Sequence, residues 1–344
     1  MAHNDIYACY ERDMIMANKV LNWGLLSTAH INRALITPLR ASKRNHLLAV
    51  ASRTQESADR YAREWKIPRA HGSYEALLAD PEIDVIYNSL PNHLHAEWTI
   101  KAVEAGKHAL CEKPLALSVA EVDAIQEAAR KHGCVVAEAF MYRHHPQTIK
   151  VQEIIMSGSL GNLKLIRGSF SYVLSREADV RLDPAMGGGS IWDVGCYPIS
   201  YTRTVAGETP LEVFGWQVTG PTGIDETFVG QMRFDHEVLS QFDCSFVIPF
   251  HVFMEIVGSE GTLNIPNPFK PGVDEKIYLT RGDKTETLKI KGQELYIGEV
   301  EDMADAILLG HPPRISLNDS RANVAAIFAL LESARAGKPV KLDL

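Results

Sequence analysis

From Val20 to Ala139, short apolar runs alternate with amphipathic stretches, and this alternation limits the possible folds more than any other feature of the chain. Leu21–Leu26, His46–Ala51, Ile83–Leu90, Ala109–Cys111 and Val135–Ala139 read as strands. Ile31–Ala41, Gln55–Trp65, Leu94–Ala105 and Val119–His132 read as helices, the last with Ser118 as its N-cap. Strands that are apolar throughout need cover on both faces, so the pattern predicts a doubly wound parallel sheet. Ligands of such sheets bind beyond the carboxyl ends of the strands, where the strand order reverses.

After Tyr142 the period changes. In Val238–Ile248 an apolar face (Val238, Phe242, Cys244, Phe246, Ile248) alternates with a mixed one, as in a strand with one side covered. Similar runs occur at Leu163–Leu174, Leu211–Thr219, Thr227–Phe234, Val252–Val257, Lys276–Thr280 and Glu286–Ile290, with helices predicted at Thr148–Ser157, Gly298–Leu309 and Asn318–Ala336. The expected fold class is therefore α/β. An N-terminal Rossmann doubly wound parallel sheet would occupy residues 20–142. A C-terminal α+β domain with a large, mostly antiparallel open sheet would occupy 143–344, its last helix free to pack back on the first domain. The aromatic residues Phe214, Trp216, Phe228, Phe242 and Phe246 point to oligomerisation through the open face of that sheet.

A chain of 344 residues exceeds what one core usually holds. Its net charge of −8 argues against a surface built for nucleic acid. No apolar run approaches the roughly 20 residues that cross a bilayer, so no membrane partner is expected. The five cysteines lack paired spacing, which speaks against a disulfide framework or a zinc site. Residues 1–19 are polar, do not read as a signal peptide and are expected to form a disordered extension; a cytoplasmic protein is the resulting expectation.

The strand ends carry the chemistry. The first strand–helix turn should cradle phosphate with G-x-G-x-x-G, but here it reads Ser27-Thr28-Ala29-His30-Ile31-Asn32, with every glycine replaced. Small Ser27 and Ala29 still permit close approach. The second strand ends in Ser52-Arg53-Thr54, without the acid that would hold a ribose diol. A guanidinium and two hydroxyls suit a 2′-phosphate, so NADP(H) is expected over NAD(H), with NAD left open. His93 and His95 follow the third strand end without acidic or cysteine partners at ligand spacing, and no metal site is expected. Lys113 is kept on a loop by Pro114. Asp193 and Tyr197, four apart after Gly187-Gly188-Gly189, share a face if the segment is helical, although Pro198 would break an interior ladder.

Several of these segments agree with one another. Leu90-Pro91-Asn92-His93-Leu94-His95, Glu112-Lys113-Pro114, EAFMYRHHPQ (Glu138–Gln147), RLDP (Arg181–Pro184) and GGGSIWDVGCYP (Gly187–Pro198) resemble the glucose–fructose oxidoreductase / inositol dehydrogenase (Gfo/Idh/MocA) family. Within it they look most like the branch of dimeric dihydrodiol dehydrogenases and NADP-dependent D-xylose dehydrogenases. The resemblance implies hydride transfer between nicotinamide and a CH–OH/C=O carbon of a sugar or cyclic polyol. Tyr197 would be proton donor or acceptor, assisted by Lys113, with Asp193 positioning substrate or lysine. The cofactor would run along Ser27 to Ile31, Ser52, Arg53, Leu90, Pro91, Asn92, His95, Glu112 and Lys113, with Arg143 and Trp192 as pocket walls. A homodimer or homotetramer is expected. A keto-sugar reductase, an NAD-dependent glycosidase and a non-catalytic ligand-sensing regulator are the alternatives. Specificity is expected in loops 175–186 and 269–274.

Overall fold

The computed structural model describes residues 19–175 and 178–342, so the extension expected at 1–19 lies, but for Lys19, outside the described residues. The first sheet contains β1 (Leu21–Leu25), β2 (Asn45–Ala51), β3 (Arg69–His71), β4 (Val85–Asn88), β5 (His108–Glu112) and β6 (Val136–Ala139). Their spatial order is β3-β2-β1-β4-β5-β6 and every pair is parallel, as expected. The order reverses between β1 and β4, which puts the ligand crevice beyond Leu25 and Asn88. Helices α1 (Asn32–Ala41), α2 (Gln55–Trp65), α3 (Tyr74–Leu78), α4 (His95–Glu104) and α5 (Val119–His132) connect the strands. The short β3 and α3 were not foreseen, because neither completes a period.

Local signals fix these elements. The Ser118 hydroxyl accepts from Glu121 N at 3.2 Å while the Glu121 carboxylate accepts from Ser118 N at 3.1 Å, and Gly133 ends α5 at φ 64°. Such an N-cap contributes about 1 kcal/mol. Trp23 Nε1 donates to buried Asn45 Oδ1 at 2.7 Å, so the indole brings no unpaired donor into the core.

Helix α6 (Pro146–Met156) opens the second half, and α7 (Cys196–Ala206) lies between its first two strands. That sheet contains β7 (Leu163–Ser171), β8 (Glu212–Thr219), β9 (Asp225–Arg233), β10 (Leu239–Ser245), β11 (His251–Gly258), β12 (Thr262–Ile265), β13 (Asp274–Arg281), β14 (Lys284–Lys291) and β15 (Val340–Lys341). The order is β14-β13-β12-β11-β7-β10-β9-β8-β15, antiparallel except for the β7–β10 pair. One expectation needs correcting. Phe228, Phe242 and Phe246 are at most 2% exposed and belong to the core, so they cannot form the open face. That face carries Trp216, 67% exposed, with its cross-strand neighbour Val229 and with Val218.

The closing helices α8 (Ile297–Leu308) and α9 (Leu317–Ala336) divide the work. Helix α8 returns to the first sheet, where Val300, Met303, Ala304 and Leu308 join the core of Trp23, Leu35, Leu39 and Tyr87. Helix α9 packs on β8 and also touches α5, so the last helix reaches both halves. No helix among the described residues is long and apolar enough to cross a membrane.

Candidate active site

The carboxyl edge of the parallel sheet gathers the turns singled out by sequence. In the β1–α1 turn, Asn32 stands at the third glycine position of the fingerprint and is fully buried. Its Nδ2 donates to Ser27 O at 2.7 Å and its Oδ1 accepts from the Ser89 hydroxyl at 2.6 Å. The Ser27 and Ser89 hydroxyls are 2.8 Å apart, and Ser27 Oγ also accepts from Ala29 N at 3.0 Å. This polar lock holds a tight turn without glycine. Helix α1 then starts at Asn32 without a side-chain cap, and its first N–H groups, those of Asn32, Arg33 and Ala34, donate to Ala29 O, His30 O and Ile31 O at 3.2, 3.3 and 2.9 Å. Thr28, Ala29 and Ile31 are partly buried and His30 is exposed on the same turn.

At the end of β2, Ser52 is buried and donates its N–H to His71 O at 3.0 Å. Arg53 is exposed beside it and forms no ion pair among the described residues. After β4, Asn92 Nδ2 reaches the second half of the chain and donates to Gly187 O at 2.9 Å. Buried His95 lies 2.7 Å from both Leu90 O and Pro114 O, so its ring clamps two strand ends and is committed to the scaffold. Burial pushes that imidazole down to about 4, against the pull of the two carbonyls. Exposed His93 belongs to no metal-binding group, and no such group of three or more ligands occurs among the described residues.

Across the crevice, Gly187 to Gly189 lead into a π-helical turn, Ile191–Gly195, continuous with α7. Pro198 is the third residue of α7, and because the π turn runs straight into that helix its missing N–H interrupts the ladder there, as the sequence predicts. Gly189 has φ +128°, and a Cβ there would lie 2.2 Å from Asp225 Oδ1. Asp225 needs that space. Its Oδ2 accepts from Ser190 Oγ and Ile191 N, each at 2.7 Å, and so holds the start of the turn.

This turn delivers Asp193 to Lys113. Lys113 Nζ donates to Asp193 Oδ1 at 2.9 Å and to Asp193 O at 2.7 Å. Asp193 Oδ2 accepts from the Tyr172 hydroxyl at 3.0 Å and lies 3.0 Å from Arg181 Nε. Burial opposes ionisation of Asp193, but Lys113 and then Arg181 outweigh it and hold the carboxyl well below its usual range. Burial likewise opposes the Lys113 charge, and Asp193 reverses the balance so that the amine is raised. The pair is ionic. The Lys113 ammonium also stands 5.1 Å from the centre of the Tyr197 ring.

Tyr197 is 5% exposed, its ring centre 5.4 Å from Phe140, 5.3 Å from Phe170 and 5.6 Å from Phe269. Its hydroxyl points at Met141 Sδ, 3.8 Å away. Burial, then the fields of Cys196 and other acidic groups, raises the phenol well above its ordinary value. Beneath the lysine, Glu112 accepts from the Tyr87 hydroxyl and from Lys113 N. Arg143 is not brought to this cluster: its Nη1 donates to Asp319 Oδ2 at 2.8 Å. Trp192 is buried in the π turn and packs in the core of the second half.

Sequence reasoning missed Asn32, Ser89, Tyr172, Arg181 and Asp225. An asparagine in place of the third glycine was a readable signal, and Arg181 sits within RLDP. Nothing local marks Tyr172 or Asp225, which reach the site only through sheet register.

A D-xylose 1-dehydrogenase (NADP(+)) from Haloferax volcanii is 36% identical over 326 residues, covering 93% of this chain and 99% of the relative. Residues 21–140 match the oxidoreductase family, NAD-binding Rossmann fold model of GFO/IDH/MocA proteins, and residues 148–264 match the GFO/IDH/MocA C-terminal domain. The chain belongs to the Gfo/Idh/MocA family. Another relative, the trans-1,2-dihydrobenzene-1,2-diol dehydrogenase of Danio rerio, is 32% identical over 72% of this chain and 74% of its own. Among solved structures, a 3-ketoreductase from Actinomadura kijaniata in complex with NADP and TDP-benzene superposes with TM-score 0.87 at 26% identity, covering 92% of this Gfo/Idh/MocA chain and 98% of its own. That enzyme was also crystallised with one tyrosine replaced by phenylalanine and, separately, with one lysine replaced by alanine.

Proposed function

We propose that this Gfo/Idh/MocA protein is an NADP(H)-dependent oxidoreductase acting on a CH–OH/C=O carbon of a sugar or cyclic polyol. The observation that carries this reading is the Lys113 ammonium, fixed by Asp193 and facing the Tyr197 ring. Tyr197 exchanges the proton of the reacting oxygen, and Lys113 donates to that oxygen and stabilises charge developing there. Asp193 keeps the lysine charged and aimed. The tight β1–α1 turn at the positive end of α1, held by the Ser27–Asn32–Ser89 lock, and the exposed Arg53, which forms no ion pair among the described residues, suit a pyrophosphate and a 2′-phosphate, so these residues would hold NADP. When bound, that cofactor supplies or takes the hydride.

Purified protein mixed with NADP+ and a panel of aldoses, inositols and cyclic diols, followed at the NADPH absorbance band, tests the reading. Turnover lost in both Lys113→Ala and Tyr197→Phe supports it. Turnover that survives Tyr197→Phe removes the proton-transfer role.

A second reading, net reduction of a keto-sugar, is favoured by one observation. The chain is 26% identical, over 92% of its length, to the 3-ketoreductase of Actinomadura kijaniata. The apolar patch of Trp216, Val218 and Val229 further supports pairing of the open sheet with a second copy, in a homodimer or homotetramer.

A further inference from the structure

We propose that Lys270 selects substrates that carry an oxyanion, a carboxylate or a phosphate, on the part of the molecule remote from the reacting carbon. The inference rests on the catalytic reading above and deepens it. Most charges around Tyr197 are matched within the protein. Lys113 pairs with Asp193, and Arg181 lies 3.0 Å from both Asp179 Oδ1 and Asp193 Oδ2. Lys270 makes no ion pair among the described residues.

Its position is built. Lys270 O accepts from Asn267 Nδ2 at 2.9 Å, and Asn267 O accepts from Gln147 Nε2 at 2.9 Å. Glu275 Oε1 closes the loop by accepting from Asn267 Nδ2 at 2.9 Å and Gly272 N at 2.6 Å. The Lys270 ammonium stands 5.9 Å from the centre of Phe170, a buried ring stacked on Phe269 and 5.3 Å from Tyr197. The residue is exposed, yet its head lies over the aromatic floor of the site. Partial desolvation, then repulsion from Lys113, lowers its affinity for the proton, a penalty that a ligand anion would relieve. The cofactor phosphates belong at the β1–α1 turn and Arg53, on the other domain, so the anion answering Lys270 comes from the substrate.

The test is thermal melting of the NADP+-loaded protein with D-glucuronate, D-glucose 6-phosphate or D-glucose at equal concentration and matched ionic strength. At least one anion should raise Tm in the wild type and lose that effect in Lys270→Met, with Lys270→Arg restoring it and the glucose shift unchanged. The two anion arms tell carboxylate from phosphate. With turnover, kcat/KM for that anion should fall about fivefold to tenfold in Lys270→Met, through KM and with kcat preserved. Anion shifts that are absent, or equal in wild type and Lys270→Met, would overturn the proposal. So would an increased KM for NADP+ in Lys270→Met. If no compound is turned over, the catalytic reading fails while the melting comparison still decides the ligand of Lys270.

Discussion

The Lys113 ammonium is bound twice by one residue, to the Asp193 carboxylate at 2.9 Å and to the Asp193 carbonyl at 2.7 Å. The doubled contact fixes the direction of the amine as well as its charge. Because Asp193 is depressed and Lys113 raised, the pair is fully ionised between about pH 4 and pH 10. Its contribution to stability is present across that window. It is lost as pH falls through the depressed value of Asp193 or rises through the raised value of Lys113.

Asp193→Asn preserves shape and removes the charge that opposes desolvation of Lys113. Burial then governs, and the lysine titrates lower. The expected outcome is a kcat drop of about 10²-fold, together with a new alkaline limb in the kcat–pH profile. A profile parallel to wild type would mean that Asp193 does not set the charge of Lys113.

Tyr197→Phe should remove about 10²- to 10⁴-fold in kcat, with NADPH affinity by fluorescence titration unchanged, because the ring contacts with Phe140, Phe170 and Phe269 survive. With its phenol raised, Tyr197 holds its proton through neutral pH. Carbonyl reduction should therefore be flat from about pH 6 to pH 9, and alcohol oxidation should rise with pH. Rates in both directions over that range check this.

Arg53 is exposed, unpaired among the described residues and one residue ahead of the α2 cap, Thr54. Arg53→Asp should raise KM for NADPH by about tenfold or more and lower KM for NADH, since a carboxylate repels a 2′-phosphate and accepts from a ribose diol. Steady-state kinetics with both cofactors reads the ratio. An unchanged ratio would remove Arg53 from cofactor choice.

The first domain was legible because fully buried parallel strands leave continuous apolar runs, whatever they pack against. That Lys113, Asp193 and Tyr197 come together was legible from the two segments that resemble the family, Glu112-Lys113-Pro114 and Gly187–Pro198. What was hidden depends on register. Tyr172 reaches Asp193 from the end of β7, and Asp225 reaches Ser190 from β9. Arg143 was misplaced for the same reason, since its partner Asp319 is 176 residues away in sequence. Aromatic count alone misjudged the open face, because alternation sends Phe228 and Phe242 inward while Trp216 points out.

That face gives a direct prediction. Trp216→Lys puts a charge in the middle of the exposed apolar patch while leaving the buried core of the sheet intact. Sedimentation should show a smaller species than wild type, with Tm changed little. Identical mass for the two proteins would locate any self-association elsewhere.

The last prediction concerns the start of the π turn that carries Asp193. Gly189→Ala forces a Cβ to within 2.2 Å of Asp225 Oδ1 and an unfavourable φ of +128° on a side-chain-bearing residue. Asp225→Ala removes the acceptor for Ser190 Oγ and Ile191 N, at a cost of about 1–3 kcal/mol. Each variant alone should lower Tm. Together they should cost less than the sum, because the truncated Asp225 no longer meets the new Cβ, and only the backbone strain introduced by Gly189→Ala remains. Activity should follow the same pattern, since displacement of the turn moves Asp193 away from Lys113. Strict additivity in denaturant midpoints would mean that the steric contact contributes nothing, and that Gly189 is needed for its dihedral angle alone.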